Sequence, residues 1–240
     1  MPVLDTLYWV LDDPVRISPR YQNVAEYARI CDTEVIATTF FEMERAIERC
    51  YRDSSDSEKR DGIAWYPLIN ETCVQLANEF GVPLQTVAYV CAALSPRIHW
   101  LNCLDATRAI LAQDSEFRYA GYRRQWEAAK TCVRENVLPG GQKVTRFAEN
   151  ILLNPSVVTV DTHAMSIALD HRIENQNVAS VTASVYLTIE AAYLSTAKRL
   201  GLLGYELQAI TWIAWRNRHA VAWNKESQFY VPADAESVPF

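Results

Sequence analysis

Residues Leu138 to Met165 read LPGGQKVTRFAENILLNPSVVTVDTHAM. Proline followed by two glycines makes a turn that no helix runs through. In KVTRFAENILL the apolar residues then recur at three- and four-residue spacing, which predicts a helix. SVVTV is short, apolar and extended. Asp161 stands where it ends and THAMSIALDH begins, the position of an N-cap. A turn that exposes the first N–H groups of a helix is also an anion site, and Gly140 and Gly141 carry no side chain to keep a phosphate away. Two readings are open at each point. Asp161 is a cap or a reactive carboxylate, and Lys143 is a solvated first-turn lysine or an amine turned into a site.

Outward from this stretch the pattern is helical nearly throughout. RYQNVAEYARIC (20–31) and EVIATTFFEMERAIERCYR (34–52) show helical spacing. The polar run DSSDSEKRDG (53–62) is the best loop candidate. Pro67 to Gly81 opens on proline and closes on glycine, so a helix is expected between them. VPLQTVAYVCAALS predicts an apolar helix that stops at Pro96, and WLNCLDATRAILA and YAGYRRQWEAAKTCVREN predict two more. The last third adds TASVYLTIEAAYLSTAKRLG and ELQAITWIAWRNRHAVAW, then a tail, VPADAESVPF, expected to be loose. Trp212 and Trp215, three apart, are expected in the core rather than in a pocket. With strand signals nearly absent and no internal repeat, the fold class is all-α.

The chain has 240 residues, half of them hydrophobic, enough for one compact unit or two lobes sharing a core. Six cysteines (Cys31, Cys50, Cys73, Cys91, Cys103, Cys132) include no C-x-x-C pair and mostly fall at apolar-periodic positions, so reduced, buried thiols are expected. The acidic start (Asp5, Asp12, Asp13) is the reverse of a secretory signal. The longest apolar run, Thr86 to Leu94, is too short to cross a bilayer. A soluble cytoplasmic protein with no membrane partner is predicted. Asp161, His163 and His171 lack metal-ligand spacing, so neither metal nor cofactor is expected. The net charge of −6 argues against a nucleic-acid partner, but its distribution does not: residues 1–96 carry −7, residues 97–146 carry +4 and residues 147–240 carry −3. Such a local basic patch suits a phosphate backbone; the other reading is a solvated face of mixed charge.

Two blocks together resemble the helix-hairpin-helix DNA glycosylase superfamily, of which endonuclease III is the familiar member. That family carries L-P-G-x-G-x-K, a helix, then V-D-T-H at the head of another helix. Here the chain reads Leu138-Pro139-Gly140-Gly141-Gln142-Lys143, then Val160-Asp161-Thr162-His163, with 18 positions from lysine to aspartate as in the family. Upstream, AALSPRIHWLNCLDATRAIL (92–111) is similar to the family's helix-loop-helix that begins L-S-x-Q, and YRRQWEAAKTCVREN is similar to the helix entering the hairpin. The resemblance covers about residues 84–172. The hairpin is one residue shorter than the family's, and Arg97 stands where the family has the glutamine after L-S-x. No cysteine follows Cys132, so the iron–sulfur cluster of some members has no ligands here.

The resemblance implies two helical lobes flanking a DNA-binding cleft: residues 67–160 with the hairpin, and residues 1–66 plus 161–240. It implies a DNA N-glycosylase that flips out and excises a damaged or modified base, with DNA as partner and no obligate protein partner. Asp161 becomes the carboxylate that stabilises the sugar cation. Lys143 becomes the nucleophile of members that also nick the strand, provided burial or nearby cations lower its pKa. Gly140, Gly141, Gln142, Thr145, Arg123 and Arg124 fall where DNA is bound. Arg97, with His99, takes the place of the wedge that fills the hole left by the flipped base. Trp100, Trp65 and Tyr66 are candidates for the base pocket. The pairing of VTVDTHA with ELQAITWIAW is also similar to uncharacterised proteins of phages and their hosts, which points to a hypermodified phage base, in antiphage defence or phage DNA metabolism. Two further readings stand beside this one: a glycosylase-like enzyme that alters a base without removing it, and a non-catalytic helix-hairpin-helix binding module in which Asp161 is only a cap.

Overall fold

The computed structural model describes residues 39–173 and 183–219, and over them the chain is all-helical, with nine helices and no strand. The segment expected as a helix at 20–31, Cys31 and the C-terminal tail lie outside the described residues. None of the described helices is long and apolar enough to cross a membrane.

Helix α1 (Phe40–Arg52) starts from a reciprocal cap: Glu42 N–H donates to the Thr39 hydroxyl, and Thr39 N–H donates to the Glu42 carboxylate at 2.7 Å. Ser55 and Glu58 repeat the device and start α2 (Asp56–Phe80). This corrects two sequence expectations. The polar loop shrinks to Asp53–Ser55, and α2 runs through Pro67 instead of beginning there. The S-x-x-E box satisfies two otherwise orphaned N–H groups, which outweighs a loop-like composition. Pro67 withdraws one N–H from the helical ladder, and its opposite carbonyl belongs to Ile63, which is exposed and can turn to water.

The remaining helices are α3 (Leu84–Leu94), α4 (Trp100–Leu111), α5 (Arg123–Glu135), α6 (Gln142–Ile151), α7 (Thr162–Ala168), α8 (Ala183–Leu200) and α9 (Gly204–Arg218). The helix expected from Tyr119 begins only at Arg123. Tyr119 is taken by tertiary packing: its ring stacks on Trp126 at 5.2 Å, and its hydroxyl meets the Leu94 carbonyl at 3.0 Å and Gln125 Oε1 at 2.9 Å.

Buried apolar residues form two main clusters. One gathers α1, α7, α8 and α9 around Ile47, Val160, Ile167, Ile189 and Leu207. The other gathers the C-terminal half of α2 with α3, α4 and α5 around Leu76, Val87, Leu94, Leu104 and Ile110. Helices α5 and α6 both pack on α3, and α2 packs on both α3 and α9. At the α2–α9 crossing Gly62 is required by space: a Cβ there would lie 2.5 Å from the Ile210 backbone. That close approach brings Trp65 and Tyr66, one turn on along α2, against Gln208 and Trp212 of α9. The five described cysteines are free and buried, as their spacing predicts.

Between α6 and α7 the chain is buried at Val157–Val160 but pairs with no strand among the described residues. Buried N–H and C=O groups need partners, and here side chains supply them. Val158 N–H donates to Glu190 Oε1 (2.9 Å), Thr159 N–H to Asn150 Oδ1 (2.9 Å) and Val160 N–H to the Tyr186 hydroxyl (2.9 Å). Tyr186 in turn donates to the Val158 carbonyl at 3.0 Å. Tyr186→Phe therefore strands one donor and one acceptor in the interior. The expected loss of stability is about 2–4 kcal/mol, read as a lower urea midpoint at unchanged slope; a variant as stable as the wild type would show that this segment does not depend on the phenol.

Candidate active site

The chain leaves this braced segment at Asp161, the N-cap of α7. Its Oδ1 accepts the Ala164 N–H at 2.8 Å, so the capping role is real. Its Oδ2 accepts from Trp212 Nε1 at 3.1 Å. The carboxylate also lines a cavity of about 650 Å³ whose walls come from both core clusters, Trp100 and Phe147 on one side, Val160 and Met165 on the other. Cap and cavity residue are thus one side chain, and neither sequence reading excludes the other.

Lys143 lines the same cavity from the first turn of α6, which corrects its reading as a solvated lysine. The residue as a whole is half-buried, but burial around the ammonium pushes its pKa below the ordinary lysine value, against the pull of the Asp161 charge. Among the described residues no hydrogen bond or ion pair holds this ammonium. A lysine in that state gives up its proton more readily than a solvated one.

The aromatic wall is larger than expected. Trp65, Tyr66 and Trp100 line the cavity, and so does Trp212, which was expected in the core. Of the pair Trp212 and Trp215, only Trp215 packs into the core. Trp212 lies 5.5 Å from Trp65, meets the edge of His163 at 6.2 Å and carries the Arg216 guanidinium 4.5 Å above its ring. Burial holds His163 below the ordinary histidine value, so it is neutral at pH 7. Gln208, Trp212 and Arg216 are four residues apart, one face of α9, and that spacing is the sequence signal that went unread.

The loop between α3 and α4 forms the rim. Arg97 sits at its apex with φ 61°, the left-handed region a side chain seldom adopts. Gln125 fixes the loop by donating to the Pro96 carbonyl at 2.7 Å. Arg97 and His99 are exposed at the mouth, and Arg97 reaches the Tyr122 hydroxyl at 3.4 Å. Tyr122 also carries Arg124 at 5.9 Å. Within the basic stretch, Arg108, Lys130, Arg134 and Arg146 are held by carboxylates. Arg97, Arg123 and Arg124 have no ion pair among the described residues, so the surplus positive charge collects beside the mouth.

Gly140, Gly141, Gln142 and Thr145 stand outside the cavity, at the start of α6. Gly141 is the N-cap, with no side-chain cap, and nothing lies within 4 Å of where its Cβ would be. Neither glycine has positive φ. At Gly140 the requirement is space, since a Cβ would come within 3.0 Å of Val144. Taken together, the geometry offers a carboxylate and a poised amine in one cavity, aromatic rings to stack a flat group, and a cationic rim. No curated protein and no solved structure matches the chain. One family does, over residues 30–219, and on that match the chain belongs to the family of unknown function DUF7178.

Proposed function

We propose that this protein is a DNA glycosylase that excises a modified base, a phage-type hypermodified base among the candidates. The observation that carries the reading is the meeting of Asp161 and Lys143, 18 residues apart, in a cavity walled by Trp65 and Trp212. In this reading α5, the turn and α6 act as a helix-hairpin-helix that holds the phosphate backbone, and the two core clusters are lobes flanking the DNA cleft. Unpaired Arg97, Arg123 and Arg124 line its approach, with Arg97 and His99 filling the place of the flipped nucleotide.

Breaking the glycosidic bond builds positive charge on the sugar, and Asp161 stabilises it from a site whose hydrogen bonds already hold the carboxylate in place. In the hydrolytic route water attacks C1′ and Asp161 takes its proton, while the base leaves with the bonding pair. In the lyase route the neutral Lys143 amine attacks C1′ instead. Its nitrogen loses a proton as the sugar ring opens, and a Schiff base remains. Loss of a C2′ proton then expels the 3′ phosphate and nicks the strand.

The test is incubation with genomic DNAs carrying different natural modifications, followed by mass spectrometry of what is released. Free base together with abasic DNA is the expected result. A changed base left within intact DNA would replace excision with base modification, and unaltered DNA throughout would leave a binding protein.

A further inference from the structure

Behind the reacting groups, the cavity floor is a chain of buried polar side chains that the chemistry above does not use. Asn150, fully buried, donates from Nδ2 to the carbonyls of Val157 (2.9 Å) and Asn154 (3.2 Å). Its Oδ1 is left as an acceptor, and takes both the Thr159 N–H (2.9 Å) and the Thr159 hydroxyl proton (2.8 Å). Thr159 Oγ1 therefore has no proton to pass on and can only accept. The Tyr66 hydroxyl lies 3.4 Å from that oxygen and 3.1 Å from Gln208 Oε1, so its single proton goes by the shorter contact to Gln208. Burial keeps the Tyr66 phenol well above its ordinary pKa, hence a donor at any physiological pH.

An amide free to turn over offers either its oxygen or its N–H₂ to a ligand. Turned over, Gln208 would leave the Tyr66 proton only the longer, 3.4 Å contact to Thr159 Oγ1, so the orientation in which Oε1 receives Tyr66 at 3.1 Å is the favoured one. It is only 5% exposed, it lines the cavity, and its Nε2 has no protein partner among the described residues. We infer that the floor of the cavity reads a hydrogen-bond acceptor, so that the base taken up carries a carbonyl or another acceptor where Gln208 meets it. A base presenting an amino group there sets donor against donor and takes the place of any water that could serve them, so both are left unsatisfied. The inference rests on the base-flipping reading and narrows the substrate to keto-type bases at that edge. Gln208 specifies; Tyr66, Thr159 and Asn150 position it.

The test uses duplexes with hypoxanthine or adenine, and uracil or cytosine, opposite an abasic analogue, so that no pairing energy differs. A 2-aminopurine placed 3′ to the test base brightens when that base leaves the stack. For at least one of the two pairs, the keto base is expected to brighten the reporter at about tenfold lower protein concentration than its amino counterpart. Tyr66→Phe, which releases the amide, is expected to bring that ratio near one while the reporter still brightens, and Gln208→Met to do the same should the first variant fold poorly. Equal response to keto and amino bases in the wild type, or a ratio that survives both variants, overturns the inference while leaving flipping intact. A reporter that brightens with none of the four bases sinks the flipping reading itself, and this one with it.

Discussion

Asp161→Asn is expected to reduce base release by at least about 10³-fold while DNA binding persists. In the proposed mechanism the carboxylate supplies both the charge that meets the sugar cation and the base that accepts a proton, and the amide supplies neither. The substitution has a second, smaller consequence. Asp161 accepts with both oxygens, from Ala164 N–H and from Trp212 Nε1. Asparagine has a single oxygen, so its N–H₂ must face one of these donors, at a cost of about 1–3 kcal/mol. Turnover measured beside a urea melt separates the two effects. Trp212→Phe provides the control, since it removes the indole donor and leaves the charge. Wild-type turnover by Asp161→Asn would remove the aspartate from the chemistry and return it to capping alone.

The second large effect concerns Lys143. Borohydride is expected to trap a covalent protein–DNA adduct, with a yield that rises with pH as the amine loses its proton, and Lys143→Gln is expected to form none. An adduct that survives in Lys143→Gln would assign the attack to another amine. Stability carries the same information with a definite sign. Burial lowers the folded-state pKa of Lys143, so between that value and the unfolded value of about 10.4 the unfolded chain binds more protons. Stability from this group is complete above about pH 10.4 and is lost as pH falls through the folded-state value. Lys143→Met is therefore expected to melt above the wild type at pH 7, with the gap closing as pH rises toward 10. A constant gap would mean that the ammonium is solvated.

The turn before Lys143 and the cap at Asp161 were legible in the sequence because such features are local, and each leaves its mark on a few consecutive residues. The start of α2 was hidden for the opposite reason: Ser55 and Glu58 make a cap inside a run whose composition speaks for a loop. The aromatic wall was hidden by burial. Helix α9 is covered on most sides, so Trp212 in the cavity and Trp215 in the core look alike in an apolar sequence. Only the polar flanks at four-residue spacing, Gln208 and Arg216, mark the cavity face. The floor relay lay further out of reach, because Asn150, Thr159, Tyr66 and Gln208 come from four separate stretches and meet only through the Gly62 crossing and the buried Val157–Val160 segment.

That segment has a further consequence for how the site tolerates change. A strand paired in a sheet that slips by two residues meets the same kind of backbone partner again. Val158, Thr159 and Val160 meet a carboxylate, an amide and a phenol in turn, three acceptors that differ in reach and in chemistry. The register is written in side chains and has one solution. An insertion or deletion anywhere between Asn154 and Asp161 must therefore be absorbed before Val158, in the turn at Pro155 and Ser156, for the carboxylate to stay where the cavity needs it. Length variation among family members is expected to collect at that turn and to be absent from the three residues that follow Val157.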